Sequence, residues 1–290
     1  MIKFIHISDL HLPIKIPFFK LRGKMFTGYI NYALRRRKKY KDEAIKALIQ
    51  KIKFLPYDVL IISGDLTNVS HEIEYKEVYN IIEPLLNEKT FMIPGNHDRY
   101  MKSAIQPEDL FQKYFGKYTG NSITNINGGY FRVKKINDYH IVGWDSNEPT
   151  GIGDASGFVQ EEIVDETLNY INKENKNYLL VCHHPIWNPS DKQESAYHKM
   201  RNREIILKKI LKSPPLAYFH GHIHTNWIRK KSENIPFYIL NSASSTRIAE
   251  NGYYSGFHYG SISESSFEVT RYQYVDEAKD YLEANPVYFE

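Results

Sequence analysis

Five short hydrophobic runs in this 290-residue chain each lead into residue types that hold metal ions. The most telling is Ala217-Tyr218-Phe219, which is followed by Gly221-His222-Ile223-His224. Upstream, in order, stand Asp9-Leu10-His11, Gly64-Asp65, Gly95-Asn96-His97-Asp98 and Cys182-His183-His184. Singly, each could be a buried polar group beside a strand. Five in sequence, each closing an apolar run, point to one bimetallic site assembled from distant parts of the chain.

The pattern between these stretches predicts the elements that carry them. Phe4-Ile5-His6-Ile7 and Val59-Leu60-Ile61-Ile62 read as buried strands, and 90–93 as a third. Between the first two, Ala44, Ile45, Leu48, Ile49 and Ile52 recur at helical spacing, and Pro56 closes the run. A second helix is expected over 71–86, with Pro84 bending its last turn. Strand–helix–strand alternation predicts an α/β core with functional loops at the carboxyl ends of its strands. Further on, 105–129 reads as a short helix and a polar loop. A hairpin is expected across Asn137-Asp138, followed by a surface loop over 146–157. Helices are expected at 159–171 and 203–211, and strands at 178–181, 237–240, 253–259 and 267–274. The length suits one large domain, residues 1–275, with 276–290 as a polar, loosely packed tail.

In an extended segment, side chains at i and i+2 share a face. Asp9 with His11, and His222 with His224, are therefore each expected to aim two ligands into one cavity. Gly64 and Gly95 precede Asp65 and Asn96 and permit a sharp turn at a strand's end. Carboxylates, imidazoles and one amide together suit Mn, Fe or Zn better than a thiolate site or an all-oxygen Ca or Mg site. A pair of such ions needs a shared carboxylate and activates a water for in-line attack on phosphorus.

The ordered series Asp-x-His, Gly-Asp, Gly-Asn-His-Asp, His-His-Pro and Gly-His-x-His resembles the calcineurin-like metallophosphoesterase family, over residues 9–224. The resemblance implies a four-layer α/β sandwich, two mixed β-sheets flanked by helices. It implies two divalent metal ions, with Asp9, His11 and His224 on the first, Asp65 bridging, and Asn96, His183 and His222 on the second. His97 would stand beside them as acid or electrostatic partner of the leaving oxygen. The family's protein Ser/Thr phosphatases continue Gly-Asp with Val-Asp-Arg-Gly. Here Gly64-Asp65 runs into Leu66-Thr67-Asn68-Val69, so a phosphoprotein substrate is disfavoured. The motifs look more like the bacterial phosphodiesterase branch. That leaves a phosphodiester or diphosphate as substrate. Cyclic-nucleotide phosphodiesterases and lipid A pathway hydrolases of UDP-diacylglucosamine are both similar, and a metal-binding scaffold without turnover is the non-enzymatic rival.

Other polar residues carry less. His184 is expected to support the ligands rather than to bind metal, and Asp98 either to orient His97 or to cap its loop. His6 and His220 read as satisfied core or loop histidines. His71, His140, His198 and His258 stand outside any motif, and Cys182 reads as a small core residue. A single cysteine excludes an internal disulfide and fits a reducing compartment. With no signal-peptide pattern and no long apolar run, a cytoplasmic protein is expected.

Charge singles out one further segment. The chain's net charge is +4, yet residues 20–41 carry nine basic residues and no acid, leaving 29 basic against 34 acidic elsewhere. Phe18, Phe19 and Phe26 are interleaved with these charges, and Arg35, Arg36 and Arg37 open a run of five. Three readings stand: a solvated helix face, docking to an anionic membrane or lipid substrate at the inner face of a membrane, and nucleic-acid binding. The last lacks a known motif. A helical insert at about 18–41, capping the mouth of the metal cleft, is expected.

Overall fold

The computed structural model describes residues 1–36, 39–126, 129–248 and 255–290. In chain order its elements begin with β1 (Ile2–Ile7), α1 (Lys24–Asn31), α2 (Asp42–Phe54), β2 (Val59–Ile62), α3 (Glu72–Ile82) and β3 (Thr90–Met92). There follow α4 (Leu110–Phe115), β4 (Asn121–Ile126), β5 (Gly129–Ile136), β6 (Tyr139–Trp144), α5 (Glu161–Glu174), β7 (Asn177–Cys182) and α6 (Arg203–Ile210). The last are β8 (Ala217–His220), β9 (Asn226–Arg229), β10 (Tyr238–Ser242), β11 (Gly256–Ile262), β12 (Phe267–Val275), β13 (Asp280–Ala284) and β14 (Tyr288–Phe289).

Two mixed sheets pack face to face, in the orders β13-β12-β11-β1-β2-β3 and β14-β9-β10-β8-β7-β6-β5-β4. Their facing residues, among them Phe4, Ile61, Phe91, Leu179, Phe219 and Leu240, form a dry central layer. The outer face of the first sheet is covered by α2, α3 and α4, and that of the second by α5 and α6. The result is four layers. Helix α2 buries Ala44, Ile45, Leu48 and Ile52 on the stripe expected from their spacing. Each such large side chain removed from water contributes roughly 1.5–3 kcal/mol.

Strand register sets the site. Ile7 stands opposite Ile62, and Ile62 opposite Met92, so β1, β2 and β3 end level. In the second sheet Val181 stands opposite Phe219, so β7 and β8 end level as well. The pairing continues past the strands: the amides of Asp9 and His11 donate to the carbonyls of Gly64 and Asp65 at 2.9 and 3.0 Å.

Two expectations fail here. The terminal residues 276–290 are not a loose tail: β13 pairs with β12, and β14 adds a parallel edge to β9. Tyr281 explains the first pairing, since its ring is fully buried and its hydroxyl donates to the Ser245 carbonyl at 2.6 Å, while Leu282 and Glu283 are exposed. The segment expected as a polar loop before β5 contains the edge strand β4, whose register slips between Ser122 and Thr124. The basic insert is helical in part, a 3-10 turn at Phe18–Lys20 and α1, continued by a π-type turn at Tyr32–Arg36. Among the described residues no helix is long and apolar enough to cross a membrane.

Candidate metal centre

The carboxyl ends of five parallel-paired strands meet where the two sheets converge. The residues there turn sharply rather than stay extended. Asp9, His11, Asp65, His222 and His224 have φ of 51°, 41°, 58°, 73° and 52°. The two Asp-x-His and His-x-His pairs therefore converge through left-handed turns, not through the alternation of an extended strand. Non-glycine residues there are strained by roughly 1–3 kcal/mol each and persist only where surroundings hold them. Here the sheets themselves do so. The His222 amide donates to both Asp9 carboxylate oxygens at 3.1 and 3.2 Å, across the sandwich. The Ser244 and Thr246 hydroxyls donate to the Asp9 and Leu10 carbonyls at 2.5 and 2.6 Å. Gly95 is required by approach: a Cβ there would lie 2.2 Å from Asp65 Oδ1.

The side chains gather in two groups that share Asp65. In the first, ligand atoms of Asp9, His11, Asp65 and His224 all lie within 4.8 Å of one another. His224 Nε2 is 3.1 Å from Asp9 Oδ1 and 3.2 Å from His11 Nε2. In the second, Asn96 Oδ1 lies 3.1 Å from His183 Nε2 and 3.0 Å from His222 Nδ1. Asp65 Oδ2 stands between the groups, 3.5 Å from His11 Nε2 and 3.4 Å from His183 Nε2.

Backbone carbonyls orient the rings. Nδ1 of His11 faces Thr67 O at 3.2 Å and Nδ1 of His183 faces Ser63 O at 2.7 Å, so each presents Nε2 to the carboxylates. His222 is reversed, its Nε2 facing the His198 carbonyl at 2.9 Å. Burial and the neighbouring His184 and His183 rings hold the His222 imidazole well below the usual range, in the neutral form a metal needs. Burial opposes ionisation of Asp65, but the His183, His97 and His11 rings outweigh it and hold its carboxyl well below the usual range. The Asp9, His11, Asp65 and His224 donor set fits a divalent cation. The Nε2 atoms of His11 and His224 lie 3.2 Å apart with the Asp9 and Asp65 carboxylates alongside, a set of donors that a common cation could share.

The remaining candidates fall into different places. His97 lies beside the first group, its ring 4.8 Å from that of His11, and its Nδ1 is 2.6 Å from the Asn68 carbonyl. The Asp98 carboxylate accepts from the amides of Leu66, Thr67 and Gly95 and so caps the loop. Both nitrogens of His184 are engaged, by Ser146 Oγ at 2.8 Å and Ala155 O at 2.9 Å, and its ring packs 4.4 Å from His222. His6 and His220 are fully buried core histidines. Phe18 and Phe19 are exposed on the insert, Phe26 packs 5.1 Å from Phe18, and none lines the cavity. Arg37 and the side chains of Arg35 and Arg36 lie outside the described residues. The insert flanks the cavity at two points. Tyr100 stacks on His97 at 5.8 Å and carries Lys24 Nζ 4.1 Å from its ring centre, and Tyr40 packs on His11 and bridges to Arg247.

Sequence patterns gave no sign of three residues at the site. Glu194 places Oε1 3.4 Å from His222 Nε2 and accepts from Asn188 Nδ2 at 2.7 Å. His198, which stands outside any motif, and Arg247 line the cavity of about 200 Å³ with Asp65, Asn96, His97, His222 and His224.

Known proteins share this architecture. A protein of Vesicomyosocius okutanii named probable cyclic nucleotide phosphodiesterase is 27% identical over 227 residues, covering 76% of this chain and 86% of that one. The DNA double-strand break repair protein Mre11 of Methanocaldococcus jannaschii is 24% identical over 298 residues, covering 97% and 69%. The structure of a purple acid phosphatase from yellow lupin superposes with a TM-score of 0.58 at 11% identity, covering 97% of this chain and 52% of that one, a likeness of fold. The calcineurin-like phosphoesterase family model matches residues 2–226, well over half of the chain, and the protein belongs to that family.

Proposed function

We propose that the chain is a phosphodiesterase that works with two divalent metal ions. The observation that carries this reading is the position of Asp65, whose Oδ2 stands about equally far from the His11 and His183 nitrogens. In this reading Asp9, His11 and His224 hold one ion, Asn96, His183 and His222 hold the other, and Asp65 is shared. When bound, such a pair polarises a phosphoryl oxygen and makes water nucleophilic at neutral pH. The chain's own work is to hold that geometry. Its left-handed turns fix the ligands, and Thr67, Ser63 and His198 carbonyls fix three of the imidazoles. As the imidazolium, His97 would donate Nδ1–H to the Asn68 carbonyl and give its Nε2 proton to the leaving oxygen, ending as the neutral ring. Asp98 and Glu74 brace the loop over 66–69 from which Asn68 presents that carbonyl.

A diester is preferred to a phosphoprotein because no arginine follows Gly64-Asp65, and because a relative spanned over 86% of its length is named a probable cyclic nucleotide phosphodiesterase. A diphosphate linked to lipid is the second reading, favoured by the exposed Phe18 and Phe19 beside basic residues. Hydrolysis of bis-p-nitrophenyl phosphate with added Mn²⁺ tests the activity. A panel of cyclic nucleotides, glycerophosphodiesters, UDP-sugars and acylated UDP-glucosamine then separates the two readings. Metal uptake with no hydrolysis of any of them would return the chain to a binding scaffold.

A further inference from the structure

We propose that residues 15–34 form a docking surface for an anionic lipid bilayer. One face of this segment is spent on the fold. Ile16, Leu21 and Met25 pack on Val69, and the Ile16 amide donates to the Tyr29 hydroxyl at 3.0 Å. The other face is apolar and open. Phe18, Phe19, Ile30 and Leu34 are 64%, 83%, 46% and 76% exposed. Phe26 and Ile30 stand at i and i+4 on α1 and Leu34 on the π-type turn that follows; Phe26 is half-buried against the Val69 cluster, and Phe18 packs on its ring. Lys15, Lys20 and Arg22 stand exposed in the same stretch, and no acidic residue occurs between Leu10 and Lys41.

Charge and side-chain type select the partner. An apolar face bordered by cations matches a surface that is apolar within and anionic at its edge, which is a bilayer carrying acidic headgroups. Single-stranded nucleic acid would use aromatic rings as stacking platforms; Phe18 and Phe19 offer rings, but Ile30 and Leu34, the rest of the exposed apolar surface, are aliphatic and suit acyl chains instead. A second copy of the chain would bring the same uncompensated basic segment against itself.

Vesicle sedimentation with the full chain tests this, using phosphatidylcholine alone and phosphatidylcholine with phosphatidylglycerol. The expected result is binding to the mixed vesicles only, weakened by salt. Phe18→Ser with Phe19→Ser, and separately Lys20→Gln with Arg22→Gln, should each lower the partition at least about tenfold. These side chains are exposed, and unchanged circular dichroism would show that the variants fold. Absence of vesicle binding, equal binding to neutral vesicles, or unchanged partition in both variants would overturn the proposal. Vesicle binding is read without substrate, so its outcome is separate from that of the phosphodiesterase reading.

Discussion

Nδ1 of His222 lies 3.0 Å from Oδ1 of Asn96, while the ring's other nitrogen turns away to the His198 carbonyl. His11 and His183 face the carboxylates through Nε2, so His222 alone among these three approaches through Nδ1. Its orientation therefore depends on whatever holds Nε2 on the outer side. That side belongs to the loop carrying Glu194 and His198, which follows His183-His184 in the chain but lies outside all five motifs.

Glu194 should act as a positioning residue for the second metal. Its Oε1 lies 3.4 Å from His222 Nε2, and burial pushes its carboxyl up to about 7. Outer partners of ligating histidines typically change metal affinity by about 10–100-fold. Glu194→Ala is expected to weaken one of two Mn²⁺ sites by about that factor and to leave the other intact. Titration calorimetry with Mn²⁺ reads this directly, and two unaltered sites in the variant would exclude the role.

Asp65→Asn should remove more than one ligand's worth of binding. The carboxylate is within 3.5 Å of both groups, and its Oδ1 also accepts from the His97 amide at 2.8 Å. An amide cannot offer two anionic oxygens to two cations. Metal content after dialysis should fall below one ion per chain, with activity lost in parallel. Retention of two ions would show that Asp65 is not shared.

His97→Ala should separate chemistry from metal binding. The ring sits beside His11 and stacks on Tyr100, yet it falls in neither ligand group. Acid catalysis typically contributes about 10²–10⁴-fold, so turnover should drop by that amount with metal content unchanged. A leaving group as acidic as p-nitrophenol needs less protonation, so the loss should be smaller on that ester than on an alkyl diester. Loss of metal from this variant would contradict the assignment.

What was legible in the sequence followed from local pattern. The buried strands β1, β2, β7 and β8 are largely apolar, and each motif adjoins its strand within a few residues. Their convergence follows once parallel pairing brings the strand ends level. The turns were misjudged because positive φ at Asp9, His11, His222 and His224 comes from contacts across the sandwich, and side-chain spacing does not report it. Glu194 reaches His222, and Arg247 reaches the cavity, from loops whose sequences carry no metal-ligand pattern. β13 was hidden because Tyr281 is its one fully buried residue and its polar neighbours face solvent.

Glu74 gives the loop over the site a distinct pH dependence. Its carboxylate accepts from the amides of Asn68, Val69 and His71 at 2.9, 3.0 and 3.1 Å, joining the loop after Asp65 to the start of α3. Burial nonetheless pushes its carboxyl from 4.5 up to about 7, the three amides offsetting only part of that cost. A raised folded value means that the native state binds the proton more tightly than the unfolded chain does. The stabilisation is fully present below 4.5 and is lost as pH rises through about 7. At about 1.36 kcal/mol per unit the loss amounts to roughly 3 kcal/mol. Buried His6 and His258, held well below 6.5 by burial, act in the opposite sense and cost stability as pH falls. They are common to the wild type and to Glu74→Gln, so they cancel in the difference. Urea unfolding of both proteins in chelator, between pH 5 and 8, should show the wild type losing about 2–3 kcal/mol relative to the variant as pH rises. A pH-independent difference would mean that Glu74 is ionised throughout and that its three amide donors outweigh its burial.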